Sequence, residues 1–114
     1  MALRTLDLAP GTPVLVYLHS PREKVFGALV ALEPAGVVVR GLDLLSLEDW
    51  MRQEVRGETS GLGLASVFYP LWRVERVERD ESVGELEGLA DRFRRLTGRA
   101  FVEAAGLGRR RKHR

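Results

Sequence analysis

The sequence predicts a mainly β domain: five antiparallel strands, strongly bent into a small barrel, with one helix inserted at about 46–56 and another following at about 83–97. Three observations carry this. Three apolar, β-branched runs follow one another between residues 14 and 44, separated by two tight turns that each contain a proline. The stretch SVFYPLWRVERVER (66–79) places a strand, a short corner and a second, charged strand in succession. SLED (46–49) and SVGE (82–85) each open an apolar pattern at helical spacing.

The elements follow in order. Residues 1–12, MALRTLDLAPGT, admit two readings. One is a helical turn carrying Leu3, Leu6 and Leu8 that stops at Pro10-Gly11; the other is an extended lead-in. VLVYLH (14–19) is a strand by its β-branched and aromatic content. SPRE (20–23) turns the chain, with Pro21 preset for the second turn position. KVFGALVALE (24–33) is so uniformly apolar that both of its faces are expected to be covered. Gly27 interrupts its side-chain row and marks a bend or a bulge. EPAG (33–36) is a second tight turn, and GVVVRGLDL (36–44) is the third strand. Turns this short make the three strands an antiparallel meander.

Ser46 is read as the N-cap of the inserted helix, with Asp49 completing a capping box. Leu47, Trp50, Met51 and Val55 recur at helical spacing, Glu48 and Arg52 form an exposed i,i+4 pair, and Gly57 is the stop. ETSGLGLA (58–65) is a glycine-containing connector; its Gly61-Leu62-Gly63 lacks the lysine and the βαβ setting of a nucleotide loop. SVFYP (66–70) is the fourth strand, LWR the corner and VERVERD (74–80) the fifth strand. Val74 and Val77 are three apart, so in a regular strand they face opposite sides; a bulge, or burial on both faces, reconciles them. Ser82 and Glu85 then read as a capping box ahead of the stripe Val83, Leu86, Leu89, Ala90, Phe93, Leu96. Residues 98–106 either continue this helix or drape over the barrel.

A length of 114 residues suits one domain, taken as 1–106, with 107–114 a basic, disordered tail. The absence of cysteine excludes disulfides and thiolate metal sites. Arg4 and Asp7 break the N-terminal apolar stretch, and no run approaches the ~18 apolar residues of a membrane span. A cytoplasmic protein without membrane contact is the expectation. The bases are 16 Arg and 2 Lys, with no Ile, no Asn and one Gln, a bias that a GC-rich genome produces without selection on the protein. Abundant arginine is therefore a weak pointer to nucleic acid. Charge is also uneven: residues 1–108 carry 13 Arg and Lys against 16 Asp and Glu, while RRRKHR (109–114) holds five cations.

The succession of meander, corner and closing strand resembles the Sm-like family, the Sm and LSm proteins and their bacterial host-factor relatives. KVFGALVALEPAGVVVRGLDL resembles its first motif, with Gly27 where the bent second strand carries its glycine; SVFYPLWRVERVE resembles its second motif. The resemblance covers residues 13–80 and implies a five-stranded, strongly bent antiparallel barrel. It also implies rings built by pairing the fourth strand of one subunit with the fifth of the next, and so a homo-oligomer. Family members that bind RNA use an acidic residue and an asparagine near the loop after the second strand. Glu33 can stand for the first, but the chain has no asparagine, and Pro70-Leu71 occupies the turn where Arg-Gly is usual.

Candidate chemistry is sparse. His19 ends a strand and His113 lies in the tail; no cluster has metal-ligand spacing, and neither a cofactor nor an enzymatic activity is expected. Trp72, Tyr69 and Phe68 flank the corner, either stacking on bases beside Arg73 and Arg76 or filling the core. Trp50 anchors its helix or meets a partner protein. The tail cations Arg109, Arg110, Arg111, Lys112 and Arg114 either attract phosphate in a salt-dependent way or solubilise the terminus. The leading expectation is an Sm-like homo-oligomer that binds single-stranded RNA weakly through Trp72, Arg73, Arg76 and the tail, with Phe68, Tyr69, Val74 and Val77 at the subunit interface. The alternative is a protein-interaction or assembly module of the same fold, docking its partner through the helices.

Overall fold

The computed structural model describes residues 8–57 and 63–107. The expected tail, the first part of the lead-in and most of the connector after Gly57 lie outside the described residues. Within them the chain runs β1 (Pro13–Leu18), β2 (Glu23–Glu33), β3 (Gly36–Asp43), α1 (Leu47–Arg56), β4 (Ala65–Pro70), β5 (Val74–Arg79), α2 (Leu89–Thr97) and α3 (Phe101–Ala104). Short 3-10 turns at Leu44–Ser46 and Leu71–Arg73 precede α1 and join β4 to β5.

The five strands form one antiparallel sheet in the order β4-β3-β2-β1-β5. β2 organises it. Residues 23–28 of β2 pair with β1, and residues 25–33 pair with β3 across a register shift between Leu29 and Ala31. Such a shift increases local twist and bends the strand. Gly27 sits opposite Gly41, and the backbones approach so closely that a Cβ on Gly41 would lie 2.1 Å from the Phe26 carbonyl oxygen. The glycine in β2 therefore permits close approach of its neighbour, while the bulge falls a few residues later.

The sheet is not closed into the expected barrel. β4 and β5 are its two ends and share no ladder among the described residues. The Leu71–Arg73 turn redirects the chain between them instead of folding it into a hairpin, and β5 pairs with β1. β5 carries the bulge that reconciles its valines. Val77 pairs with Val16, Arg76 with Tyr17 and Val74 with Leu18, so Glu75 is the extra residue, and Val74 and Val77 pack on the same cluster.

Two cores lie on opposite faces of the sheet, and β2 contributes to both, as its apolar sequence requires. On the concave face Val14, Val16, Leu18, Val25, Leu29, Val37 and Val39 are buried together, with Leu8 packed against them. The described lead-in is a turn at Pro10-Gly11, where Gly11 has φ +94° and donates to the Leu29 carbonyl at 2.7 Å. On the other face Phe26 and Ala28 meet Leu47, Trp50, Met51, Phe93, Phe101 and Ala105 from the three helices. Trp50 stacks on Phe93 at 5.1 Å, and Phe101 meets both rings edge-on. Trp50 is thus a buried helix anchor.

Both helix starts differ from the expected capping boxes. Ser46 makes no side-chain cap; Asp43 instead accepts from the Ser46 N–H at 2.9 Å and starts the 3-10 turn that leads into α1. Arg52 pairs with Asp49, and Glu48 reaches across to Arg92 on α2. The second helix begins at Leu89, not near 83. Val83 and Leu86 form a tight turn through Gly84, which has φ +60°. Gly88 has no side chain to cap with, and Asp80, at the end of β5, accepts from the N–H groups of Leu89 at 2.8 Å and Ala90 at 2.9 Å. Gly98, at φ +78°, ends α2, and the chain drapes back as α3 to bury Phe101.

Candidate functional site

Three neighbouring features stand apart from the packed surface: the corner after β4, the free edges of β4 and β5, and a cleft at the mouth of the concave face. The corner exists because Pro70 ends β4 in an extended conformation and Leu71–Arg73 makes one 3-10 turn. That turn leaves Trp72 69% exposed and Leu71 also exposed, with Phe68 half-exposed beside them. Gly36 has no Cβ, which leaves room for the Phe68 ring, whose nearest atoms would lie 2.9 Å from such a Cβ. Trp72 is thus the most exposed of the sequence-predicted stacking residues.

The arginines of the corner are occupied. Arg73 donates to the His19 carbonyl at 2.9 Å and the Pro21 carbonyl at 3.1 Å, and pairs with Glu23. It fastens the β1–β2 turn to the corner. Arg76 lies over the Tyr17 ring, 4.0 Å from its centroid, and donates to Glu78 at 2.8 Å. The hydrogen bond it donates to Glu78 holds its guanidinium even more firmly protonated than usual. Tyr17 in turn donates to Glu78 at 3.1 Å. Tyr69, Val74 and Val77 turn toward the concave core and are half-buried. The cations at 109–114 lie outside the described residues.

The cleft has a volume of about 1040 Å³ and opens between the start of β2, the end of β3 with its following turn, and β4. Its apolar wall includes Val25, Val67 and Tyr69, and Leu45 stands at its lip, 95% exposed. Burial pushes the Tyr69 phenol above its ordinary range, and the charge of Glu23 adds to this. Glu23 and Asp43 on the rim already have partners in Arg73 and the Ser46 amide. Arg22 makes no ion pair among the described residues. The cleft is not legible in sequence because segments 22–25, 41–46 and 63–69 meet only through the bend of the sheet. The exposure of Val83 and Leu86 likewise has no sequence signal, since both sit in the stripe that reads as the buried face of a helix, and Leu45 falls between two predicted elements.

Among the described residues no group of three His, Cys, Asp or Glu side chains is placed to hold a metal ion, and no helix is long and apolar enough to cross a membrane. His19 is exposed, with Nδ1 3.2 Å from the Ser20 hydroxyl. What the arrangement offers chemically is surface: aromatic and aliphatic groups beside unpaired backbone edges. No family model matches the chain, and no curated protein or solved structure matches it either.

Proposed function

We propose that this chain is an assembly module that associates with copies of itself through the free edges of its sheet, as a diverged relative of the Sm-like domains. The observation that carries the reading is the pair of strand edges: the outer edges of β4 and β5 have no partner strand among the described residues, and exposed Phe68, Leu71 and Trp72 lie at or beside the corner that joins the two strands. Unpaired edges of this kind are normally covered or paired. β4 is the more adhesive edge, with one charge-free run from Ala65 to Pro70; β5 carries Glu75, Arg76, Glu78 and Arg79. The meander, the three-residue corner and the acidic body favour the same reading. Sedimentation velocity over a hundred-fold concentration range tests it. The chain is expected to sediment as a defined oligomer, and Trp72→Glu, which places a charge in the exposed apolar corner, is expected to shift it toward monomer. A monomer at every concentration sinks the reading.

A second reading, weak binding of single-stranded RNA, is favoured by the exposed Trp72 and by the five cations of 109–114. Arg73 and Arg76 contribute little to it, because the first is tied to backbone carbonyls and the second is stacked and paired. Fluorescence anisotropy with a short single-stranded RNA at two salt concentrations, on the full chain and on one ending at Leu107, separates the contributions. Binding by the full chain alone, falling steeply with salt, assigns RNA attraction to the tail. Binding by both assigns it to the folded domain, and binding by neither removes RNA from the account.

A further inference from the structure

The turn after β5 and the cleft beside β4 have complementary surfaces. Val83 and Leu86 exchange two backbone hydrogen bonds of 2.9 Å, which makes the turn a defined knob. It nevertheless holds both aliphatic side chains out in water, 61% and 76% exposed. Of the carboxylates around it, Glu81 is held by Arg79 and Glu87 by Arg95. Glu85, at the tip, makes no ion pair among the described residues. The cleft is the reverse: an apolar wall, an exposed Leu45 at the lip, rim acids already partnered and Arg22 uncommitted. The unpaired charge on the knob is Glu85, while on the cleft Arg22 and Lys24 outnumber Asp43, the one lining carboxylate without an ion pair among the described residues.

Within one chain the two are set at opposite ends of β1. The knob follows Asp80, whose N–H donates to the Pro13 carbonyl at the start of β1, whereas Arg22 follows the end of β1 at Leu18. Six residues of strand separate these ends by roughly 20 Å. A second copy has no such limit. If the free edge of β5 runs antiparallel along β4 of another copy, the end of β5 lies beside the start of β4, and the residues after Arg79 are carried past Ala65 to the lip of that copy's cleft.

We propose that the Val83–Leu86 knob of one copy seats in the cleft of the next, with Leu86 against Leu45 and Glu85 facing Arg22. This rests on the self-association reading above and specifies its contact. It makes the association head-to-tail, because knob and cleft are different surfaces.

The chain has no cysteine, so engineered thiols are the sole ones present. L45C and L86C variants of the full chain, mixed and oxidised, are expected to form a mixed covalent dimer. Its yield is expected to exceed by roughly ten-fold that from L86C mixed with V55C, since a seated contact raises the effective thiol concentration. Val55 is exposed on α1, away from the cleft lining, and serves as the control. In parallel, R22E and E85K are each expected to weaken self-association by about three- to ten-fold, and R22E mixed with E85K to recover it. An unmodified chain that sediments as a monomer overturns the self-association reading and this proposal with it. An oligomer whose L45C–L86C cross-linking does not exceed the control overturns the seating alone.

Discussion

Across the sheet, two cores share β2 and differ in what covers them. The helix face is built from large rings: Trp50, Phe93 and Phe101 interlock over Phe26, with the nearest pair of ring centroids, Phe26 and Phe101, 4.6 Å apart. The concave face is built from valines and leucines, fully buried at Val14, Val16 and Leu18 but giving way toward β4 to an open cleft. The difference follows from what each side can reach. The segments after β3 and β5 supply three helices to one face, whereas among the described residues the other is covered by Leu8 of the lead-in and by the sheet itself, which stops short of closure. A face closed by its own chain stabilises; a face left ajar by the same chain is available for something else.

The largest expected effect breaks the closed side. Phe101 lies in a four-residue helix that has few contacts of its own, so Phe101→Ala removes the anchor of α3 as well as a ring from the cluster. A loss of about 3–5 kcal/mol in urea unfolding is expected. A loss under about 1 kcal/mol would mean that the helices are held by something other than the aromatic cluster.

The second prediction sharpens the contrast within the concave side. Val16 is fully buried, whereas Val67 lines the open cleft. Val16→Ala is expected to cost about 2 kcal/mol and Val67→Ala less than about 1 kcal/mol. Equal costs would show that the cleft is as well packed as the core behind it.

The smallest effect concerns the surface of the helix face. The hydrogen bond from Arg92 holds the Glu48 carboxyl below its ordinary value of 4.5. A carboxyl whose pKa is lowered by folding contributes stability that is complete above the unfolded value and is lost as pH falls through the folded one. Urea midpoints measured from about pH 6 down to about pH 3 should therefore fall less steeply for Glu48→Gln than for the unaltered chain. Identical slopes would remove the α1–α2 ion pair from the stability account.

The β half of the molecule is legible in the sequence because its signals are local. Runs 14–19, 24–33 and 36–44 are bounded by their own turns, and the observed strands match them within a residue or so. The three-residue spacing of Val74 and Val77 calls for either a bulge or burial on both faces, and the structure has the bulge, at Glu75. The start of α2 is misread because SVGE imitates a capping box, while the residue that caps the helix, Asp80, lies across the turn at the end of β5. The closure of the barrel is not legible either, since whether two end strands meet depends on the curl summed over five strands. At the site, the sequence points to the corner and to Trp72. It cannot show that Arg73 is held by carbonyls some 50 residues away, or that Arg40 donates to the Ala105 carbonyl 65 residues on.

The remote cap on α2 also bears on the order in which structure is acquired. Nine residues are too few for a stable helix in water, and this one has a glycine where its own cap would be. Its start signal belongs to Asp80, whose backbone is itself set by the Pro13 carbonyl and hence by the pairing of β5 with β1. α2 is therefore subordinate to the sheet. The first and last strands must find each other before the helix has a defined beginning, and a lesion in their ladder would be read out as helix loss on the opposite face.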